Sequence, residues 1–190
     1  MDNNRISLNA LRDKAYHNAT NHGWHEVEHN AGHYVMLMIT ELSEAVNADR
    51  LDKHANKELF NMNLVTPSYQ EDKHFMKLYD LYIKDTLEDE LADAAIRMLD
   101  FTKVLEVDLN FNLPTPDEEE LLLIELTAQP YLTHHVLALI MVLLDDADVI
   151  KFLKSIFIIA KWHKIDLMWH IEQKMKYNEM RPYKHGGKKY

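Results

Sequence analysis

The sequence has little of three residue types that shape folds. Its 190 residues include no cysteine, four glycines and five prolines. Glycine and proline supply the tight turns between strands, and average composition contains roughly 12% of the two together. Because this chain holds well under half of that share, we exclude a many-stranded sheet and predict an all-helical protein. The absence of cysteine excludes a disulfide scaffold, a thiolate zinc or iron–sulfur site and a cysteine nucleophile.

Long apolar runs are also missing. The longest, residues 136–144, is followed by Asp145 and is far shorter than the ~20 residues of a membrane-spanning helix. The first residues are polar and lead into no apolar stretch, so we expect no secretory signal. A chain without cysteine also fits a reducing compartment. These features predict a soluble, cytoplasmic protein with no membrane partner.

The charge is predominantly negative. The formal net charge is −10, from 21 basic and 31 acidic residues, which argues against a nucleic-acid partner. Residues 174–190 differ, because they contain six lysines or arginines and a single glutamate. The sequence therefore predicts an acidic protein with a basic end, and its length fits one domain over residues 1–190.

Apolar residues recur at spacings of three and four along most of the chain. This pattern predicts a bundle of five to seven helices with a central four-helix unit. The predicted helical stretches are residues 6–22, 32–46, 71–106, 131–163 with a break near 145, and 166–180. The polar, asparagine-rich residues 50–67 predict a long loop. Residues 107–164 are interpreted as additional helices that could form an interface.

Acidic residues three apart are the natural place to look for a metal site on helices, because such side chains are neighbours. The sequence contains six such pairs, and chance supplies roughly five, so their existence alone indicates nothing. The pairs are Glu41/Glu44, Asp49/Asp52, Asp85/Glu88, Glu90/Asp93, Asp117/Glu120 and Asp145/Asp148.

Two pairs, Glu41/Glu44 and Glu90/Asp93, lie on helical faces that are otherwise apolar, and an alanine follows the second acid each time. Four carboxylates converging in a partly dry bundle would repel one another unless a cation lay among them. Oxygen ligands favour Mg²⁺, or Mn²⁺, over zinc. The pattern therefore predicts a metal site formed by these four residues. The alternative is that both pairs belong to solvated faces of ordinary helices.

The motifs Glu41-x-x-Glu44 and Glu90-x-x-Asp93 resemble those of the all-α nucleoside triphosphate pyrophosphohydrolases, the MazG-like and dimeric dUTPase superfamily. Residues 21–24 are similar to the segment that this family places beside the nucleotide base. Residues 174–186 are similar to the terminal element of MazG-like members. The resemblance covers roughly residues 7–106 and 165–190. The interval from Glu44 to Glu90 is longer than in compact members of the family, so the resemblance implies that the loop 50–67 is an insertion. Position 97 is arginine, where some relatives carry an aromatic residue against the base.

The resemblance implies a reaction and a set of residues. Mg²⁺ held by the four carboxylates would bridge the triphosphate, and a water activated by Glu41 or Glu44 would attack the α-phosphorus. The products would be pyrophosphate and a nucleoside monophosphate. The implied substrate contacts are Trp24 with the base, Lys174, Arg181 and Lys184 with phosphate oxygens, and Asn178 with sugar or phosphate. The family builds its sites in dimers or pairs of dimers, so a homo-oligomer is expected.

Two other interpretations stay open. His134 and His135 with Asp145 and Asp146 could belong to a His/Asp metal phosphohydrolase, but ten residues of helix span about 15 Å, which keeps these groups apart unless the helix breaks. The chain could instead be a non-catalytic helical scaffold that self-associates through residues 107–164. The apolar stretches 136–144 and 156–160 suit such an interface.

Overall fold

The computed structural model describes residues 7–65, 71–110, 130–145 and 148–189. Over these residues the protein consists of helices without any strand, which confirms the predicted all-α fold. None of these helices combines the length and the apolar character needed to cross a membrane. The helices are α1 (Leu8–Asn21), α2 (Ala31–Arg50), α3 (Lys57–Leu64), α4 (Glu71–Tyr82), α5 (Leu87–Val104), α6 (Leu132–Leu144), α7 (Val149–Trp162), α8 (Leu167–Glu179) and α9 (Lys184–Gly187).

The described residues form nine helices rather than five to seven, because α3 lies in the predicted loop, the segment 71–106 is divided into α4 and α5, and the short α9 follows α8. Residues 50–67 were expected to be a loop, but they contain α3. Asn56 caps this helix by accepting a hydrogen bond from the backbone N–H of Leu59, and Phe60 is fully buried. The predicted long helix over 71–106 is interrupted before α5. Asp85 adopts a positive φ there, and Thr86 caps α5.

Helix α5 lies at the centre of the bundle and packs against α1, α2, α7 and α8. Helix α1 also contacts α8, and α2 also packs against α6, so α5 is surrounded by a bundle of helices, while the central four-helix unit stays a prediction. Met38, Leu42, Leu91, Met98 and Ile171 are fully buried in the main core that these helices share. This arrangement brings the acid-bearing faces of α2 and α5 together.

A smaller apolar cluster supports the start of α5. It is formed by Phe60 of α3, Phe75 and Tyr79 of α4, the following Ile83, and Tyr177 of α8. The rings of Tyr79 and Tyr177 are stacked with their centroids 4.3 Å apart. The cluster therefore fixes α4 against α8 on one side of the acid-bearing helices.

The additional helices predicted over residues 107–164 are described in part, as α6 and α7, with residues 111–129 and 146–147 outside the described ranges. The expected break near residue 145 is confirmed, because α6 ends at Leu144 and Asp148 caps α7. Residues 156, 158, 159 and 160 are buried in this chain's own core, so the expectation that 156–160 form an interface is wrong. On α6, by contrast, Leu137, Met141 and Leu144 form an exposed apolar face.

Candidate functional site

A cavity of about 870 Å³ is lined by residues of α1, α2, α5 and α8 and of the segment 181–189. Cavities of about 300–1,000 Å³ hold small-molecule ligands and cofactors. Every side chain that the sequence suggested for the site lines this one cavity. These are Trp24, Glu41, Glu44, Glu90, Asp93, Lys174, Asn178, Arg181 and Lys184.

Three of the four predicted metal ligands meet. Glu41, Glu90 and Asp93 each offer one carboxylate oxygen, and these oxygens lie within 4.8 Å of one another. Glu41 and Glu90 are buried, and Asp93 is half-buried. The alanines that follow the acid pairs, Ala45 and Ala94, have no exposed surface. Small side chains at these positions allow α2 and α5 to approach closely enough for the acids to meet.

Glu44, the fourth predicted ligand, occupies a different position. It lies one turn after Glu41 on α2, is exposed, and lines the cavity beside the cluster of Glu41, Glu90 and Asp93. Glu90 also belongs to a second group of close carboxylates, with Asp85 and Asp89. The carboxylates therefore extend along the first turns of α5.

The carboxyl groups of the cluster strongly affect one another. Burial, followed by the charge of Asp93, raises the pKa of Glu90 to about 9. The same two causes, in the same order, raise the pKa of Glu41. At neutral pH without a cation, Glu90 is therefore protonated, because a further negative charge here would be poorly solvated and repelled by its neighbours.

Two side-chain cations are already paired with this cluster. Nε of Arg97 lies 2.5 Å from Oε1 of Glu41. Nζ of Lys174 lies 2.8 Å from Oδ2 of Asp89 and 2.8 Å from Oδ2 of Asp93. Lys174 is only 4% exposed; burial alone would lower its pKa, but the charges of Asp93 and Asp89 outweigh burial and raise it. Lys174, which the family resemblance assigned to a phosphate, is thus held by carboxylates.

Asp89 is a site residue that sequence reasoning missed. Its side chain has no exposed surface and accepts hydrogen bonds from the Tyr79 hydroxyl, from Lys174 and from the backbone N–H of Asp85. Three donors satisfy the carboxylate, so it acts as a fixed anchor for Lys174. The sequence did contain a signal, because Thr86 three residues before Asp89 matches the pattern of a helix N-terminus.

Residues 181–189, called the C-terminal segment below, close one side of the cavity because they lie against the loop after α1. The backbone N–H of Lys184 donates to the carbonyl oxygen of His22, and the Tyr183 hydroxyl donates to Glu26. Gly23 permits this contact, since a Cβ there would lie 2.4 Å from the Tyr183 ring. Nζ of Lys184, another predicted phosphate contact, lies 3.1 Å from Glu26.

The remaining predicted substrate contacts lie on the same side. Trp24 is half-buried, and its ring meets the ring of His185 edge-on at a centroid distance of 5.2 Å. Nη1 of Arg181 lies 3.4 Å from Oδ1 of Asn178. An aromatic ring, an amide and a guanidinium thus line the cavity, and these groups suit the base, the sugar and the phosphates of a nucleotide.

The residues of the His/Asp interpretation are arranged differently. His134 and Asp145 are exposed at opposite ends of α6. His135 is buried, and its Nδ1 lies 2.9 Å from Nε2 of His163. Asp146 lies outside the described residues. The structure therefore gives this set no common metal position among the residues that it describes.

Comparisons with known proteins give no match, whether with protein-family models, curated proteins or solved structures. The function is therefore inferred from the geometry and chemistry of the site. A set of carboxylate oxygens without sulfur ligands fits Mg²⁺ or Mn²⁺, which prefer oxygen. A bound cation would lower the raised pKa values of Glu41 and Glu90 again, because it stabilises the charged form of a carboxyl group.

Proposed function

We propose that this protein is a Mg²⁺-dependent nucleoside triphosphate pyrophosphohydrolase, which converts a (d)NTP and water into a (d)NMP and pyrophosphate. The observation that carries the proposal is the meeting of Glu41, Glu90 and Asp93 in a cavity of nucleotide size. Basic and aromatic side chains line the same cavity, as recognition of a nucleotide requires.

The three carboxylates are the groups that would hold the cation, and Glu44 lies beside them. When bound, Mg²⁺ would neutralise charge on the phosphate oxygens and make the phosphorus more electrophilic. Mn²⁺ would serve the same purpose with the same donor atoms.

The general base comes from α2 in this proposal. Glu41 and Glu44 lie one turn apart, so one carboxylate can serve as a ligand while the other accepts the proton of the attacking water. Attack at the α-phosphorus breaks the bond to the bridging oxygen and releases pyrophosphate. Catalysis of phosphoryl transfer consists mainly of positioning and charge neutralisation, which this cavity supplies.

The substrate contacts lie on the side of the cavity formed by α8 and the C-terminal segment. Arg181 and Lys184 are proposed to bind phosphate oxygens, and Asn178 the sugar or a phosphate. Trp24 is proposed to stack on the base, a contact worth about 1–3 kcal/mol in nucleic-acid-binding proteins. Lys184 would have to leave Glu26 for this role.

A substrate panel tests the proposal. The protein is incubated with each common and modified (d)NTP, with and without Mg²⁺, and pyrophosphate, orthophosphate and monophosphate are assayed. We expect pyrophosphate and monophosphate from at least one nucleotide, only with the metal. No turnover across the panel, or turnover unchanged in Glu41→Gln, would sink the proposal, and release of orthophosphate would favour a phosphohydrolase.

The exposed face of α6 supports a second, compatible proposal. We propose that Leu137, Met141 and Leu144 contact a second copy of the chain, giving a homodimer or a larger homo-oligomer. Sedimentation of the wild-type protein and of Met141→Glu tests this. We expect an oligomer that dissociates in the variant, and a monomeric wild-type protein would contradict it.

A further inference from the structure

We propose that Arg97 is a substrate-binding residue that pairs with Glu41 in the cation-free protein and moves to the triphosphate when a cation occupies the carboxylates. This inference rests on the proposed function of the same cavity. The side chain of Arg97 thus has two successive partners. Its removal should strengthen cation binding and weaken triphosphate binding.

The first step concerns the pair itself. The Glu41 side chain is 8% exposed, while that of Arg97 is 39% exposed, so a buried carboxylate meets a guanidinium that reaches the cavity. The contact runs from Nε of Arg97 to one Glu41 oxygen. A cation bound by Glu41, Glu90 and Asp93 must compete with Arg97 for Glu41. Removal of the guanidinium should therefore favour cation binding.

The second step compares the two cations of the cluster. Lys174 is held by two carboxylates, and one of them, Asp89, is itself fixed by Tyr79 and by the backbone. Arg97 is held by Glu41 through Nε, and within the described residues its Nη groups make no hydrogen bond. Of the two, Arg97 is the cation that can exchange its partner.

The third step concerns where Arg97 would go. It lies four residues after Asp93 on α5, and side chains at this spacing are neighbours, with Cβ atoms about 5–6 Å apart. A phosphate bound beside Asp93 would therefore lie within reach of Arg97. The competing acceptor, Asp100, is already paired, because its Oδ1 lies 2.8 Å from Nε2 of His25. The two Nη groups suit bidentate binding of phosphate oxygens.

The experiment compares Arg97→Gln and Arg97→Lys with a matched control. Arg50→Gln makes the same chemical change at an exposed position on α2, the helix that carries Glu41. Calorimetry at pH 8 measures the affinity for Mn²⁺ alone, and then the affinity for inorganic triphosphate at saturating Mn²⁺. Circular dichroism shows whether each variant is folded, and Arg97→Lys retains the charge if Arg97→Gln is unstable.

We expect Arg97→Gln to bind Mn²⁺ about three- to tenfold more tightly, as loss of a partly exposed competing ion pair implies. Triphosphate should bind roughly tenfold to a hundredfold more weakly, as loss of hydrogen bonds to a charged group implies. Arg97→Lys should fall between Arg97→Gln and the wild type in both measurements, and Arg50→Gln should match the wild type.

Unchanged or weaker Mn²⁺ binding in Arg97→Gln overturns the first half of the proposal. Unchanged triphosphate binding overturns the second half and would place Arg97 against the base or against Asp100. If the wild-type protein itself binds no Mn²⁺, the proposed function fails and this inference fails with it. The two failures are therefore distinguishable.

Discussion

Acidic pairs with the same three-residue spacing lie in two regions of this molecule that differ in burial and in partners. Glu41/Glu44 and Glu90/Asp93 lie in the centre, and Asp49/Asp52 and Asp85/Glu88 lie at the periphery. At the centre, Glu41 and Glu90 are buried on facing helices, and their oxygens meet that of Asp93. At the periphery, the side chain of Asp52 is fully exposed, and Glu88 accepts hydrogen bonds from His54 and from the backbone N–H of Ala55. Spacing alone therefore does not bring carboxylates together. The central carboxylates meet because they come from two helices that face each other.

The two regions also differ in how their charge is balanced. Water solvates an exposed carboxylate such as Asp52, so its ion pairs contribute little. The central carboxylates lack that solvation and depend on Arg97, on Lys174 and on protonation of Glu90. A buried charge needs a partner, and breaking such a pair is costly. The central region thus concentrates carboxylates whose charge is offset by two side-chain cations and by a proton.

The largest contrast concerns activity. Asp93→Asn removes a central carboxylate charge, whereas Asp52→Asn makes the same change at the periphery, where asparagine also tolerates the positive φ. We expect Asp93→Asn to lower kcat/KM for pyrophosphate release at least about a hundredfold, since charge neutralisation by the cation is lost. Asp52→Asn should match the wild type. Equal activity of the two variants would show that the central carboxylate of Asp93 matters no more for catalysis than the peripheral carboxylate of Asp52.

The next contrast concerns stability. Asp89→Asn breaks the buried pair with Lys174, and we expect a loss of about 3–5 kcal/mol in the free energy of unfolding. Asp85→Asn, at an exposed side chain just before α5, should change stability by less than about 0.5 kcal/mol. Urea denaturation without divalent cations measures both. A similar stability of the two variants contradicts the role of Asp89 as an anchor.

The central cluster should also make stability depend on pH. The pKa of Glu90 is about 9 in the folded protein against an ordinary 4.5, so the folded state binds the extra proton between these values. Unfolding free energy should then fall as pH rises, by at most about 1.4 kcal/mol per pH unit. His170 and His185, whose pKa values burial lowers to about 4 and about 3, act in the opposite direction, but only below about pH 6.5.

The informative window is therefore pH 7 to 9, with a chelator present. We expect the thermal midpoint of the wild-type protein to fall across this window, and Glu90→Gln to show a flatter profile. Mg²⁺ should restore stability most at the upper end. A wild-type midpoint that is constant or rises between pH 7 and 9 would show that Glu90 does not hold the extra proton.

The smallest contrast concerns Glu88. This side chain joins the start of α5 to the connection after α2, through His54 and Ala55. Glu88→Gln should cost about 1 kcal/mol of stability, the value of a typical hydrogen bond, and leave the affinity for Mg²⁺ unchanged. Chemical denaturation and calorimetry provide the two readings. A loss of Mg²⁺ affinity as large as that of Glu41→Gln would extend the site to Glu88.

The sequence predicts which acids of α2 and α5 come together, because their helical spacing and apolar neighbours place them on the buried faces of the two helices. The partners of the cations were not readable. The family resemblance implies that Lys174 and Lys184 contact phosphate, yet in the structure they pair with Asp93 and Glu26. These pairs depend on where α8 and residues 181–189 pack.

There are also physical reasons why the sequence does not reveal Asp89 as a partner of Lys174, or α3 as a helix. Asp89 adjoins Glu90 in sequence, but its partners come from α4 and α8, which only the tertiary fold brings to it. Helix α3 is short and lies in an asparagine-rich stretch, where Phe60 was its one strongly buried residue. Asparagine favours caps as well as loops, so composition alone pointed to a loop.

In the proposed reaction, the carboxylates of Glu41, Glu90 and Asp93 support attack of water at the α-phosphorus. The most direct test is to incubate the protein with Mg²⁺ and a nucleotide that it hydrolyses, in water enriched in oxygen-18. Mass spectrometry then locates the isotope. We expect it in the nucleoside monophosphate and not in the pyrophosphate, and we expect Asp93→Asn to form this product at least about a hundredfold more slowly. Isotope in released orthophosphate or in pyrophosphate, or labelled monophosphate formed by Asp93→Asn as fast as by the wild type, would contradict the proposed reaction.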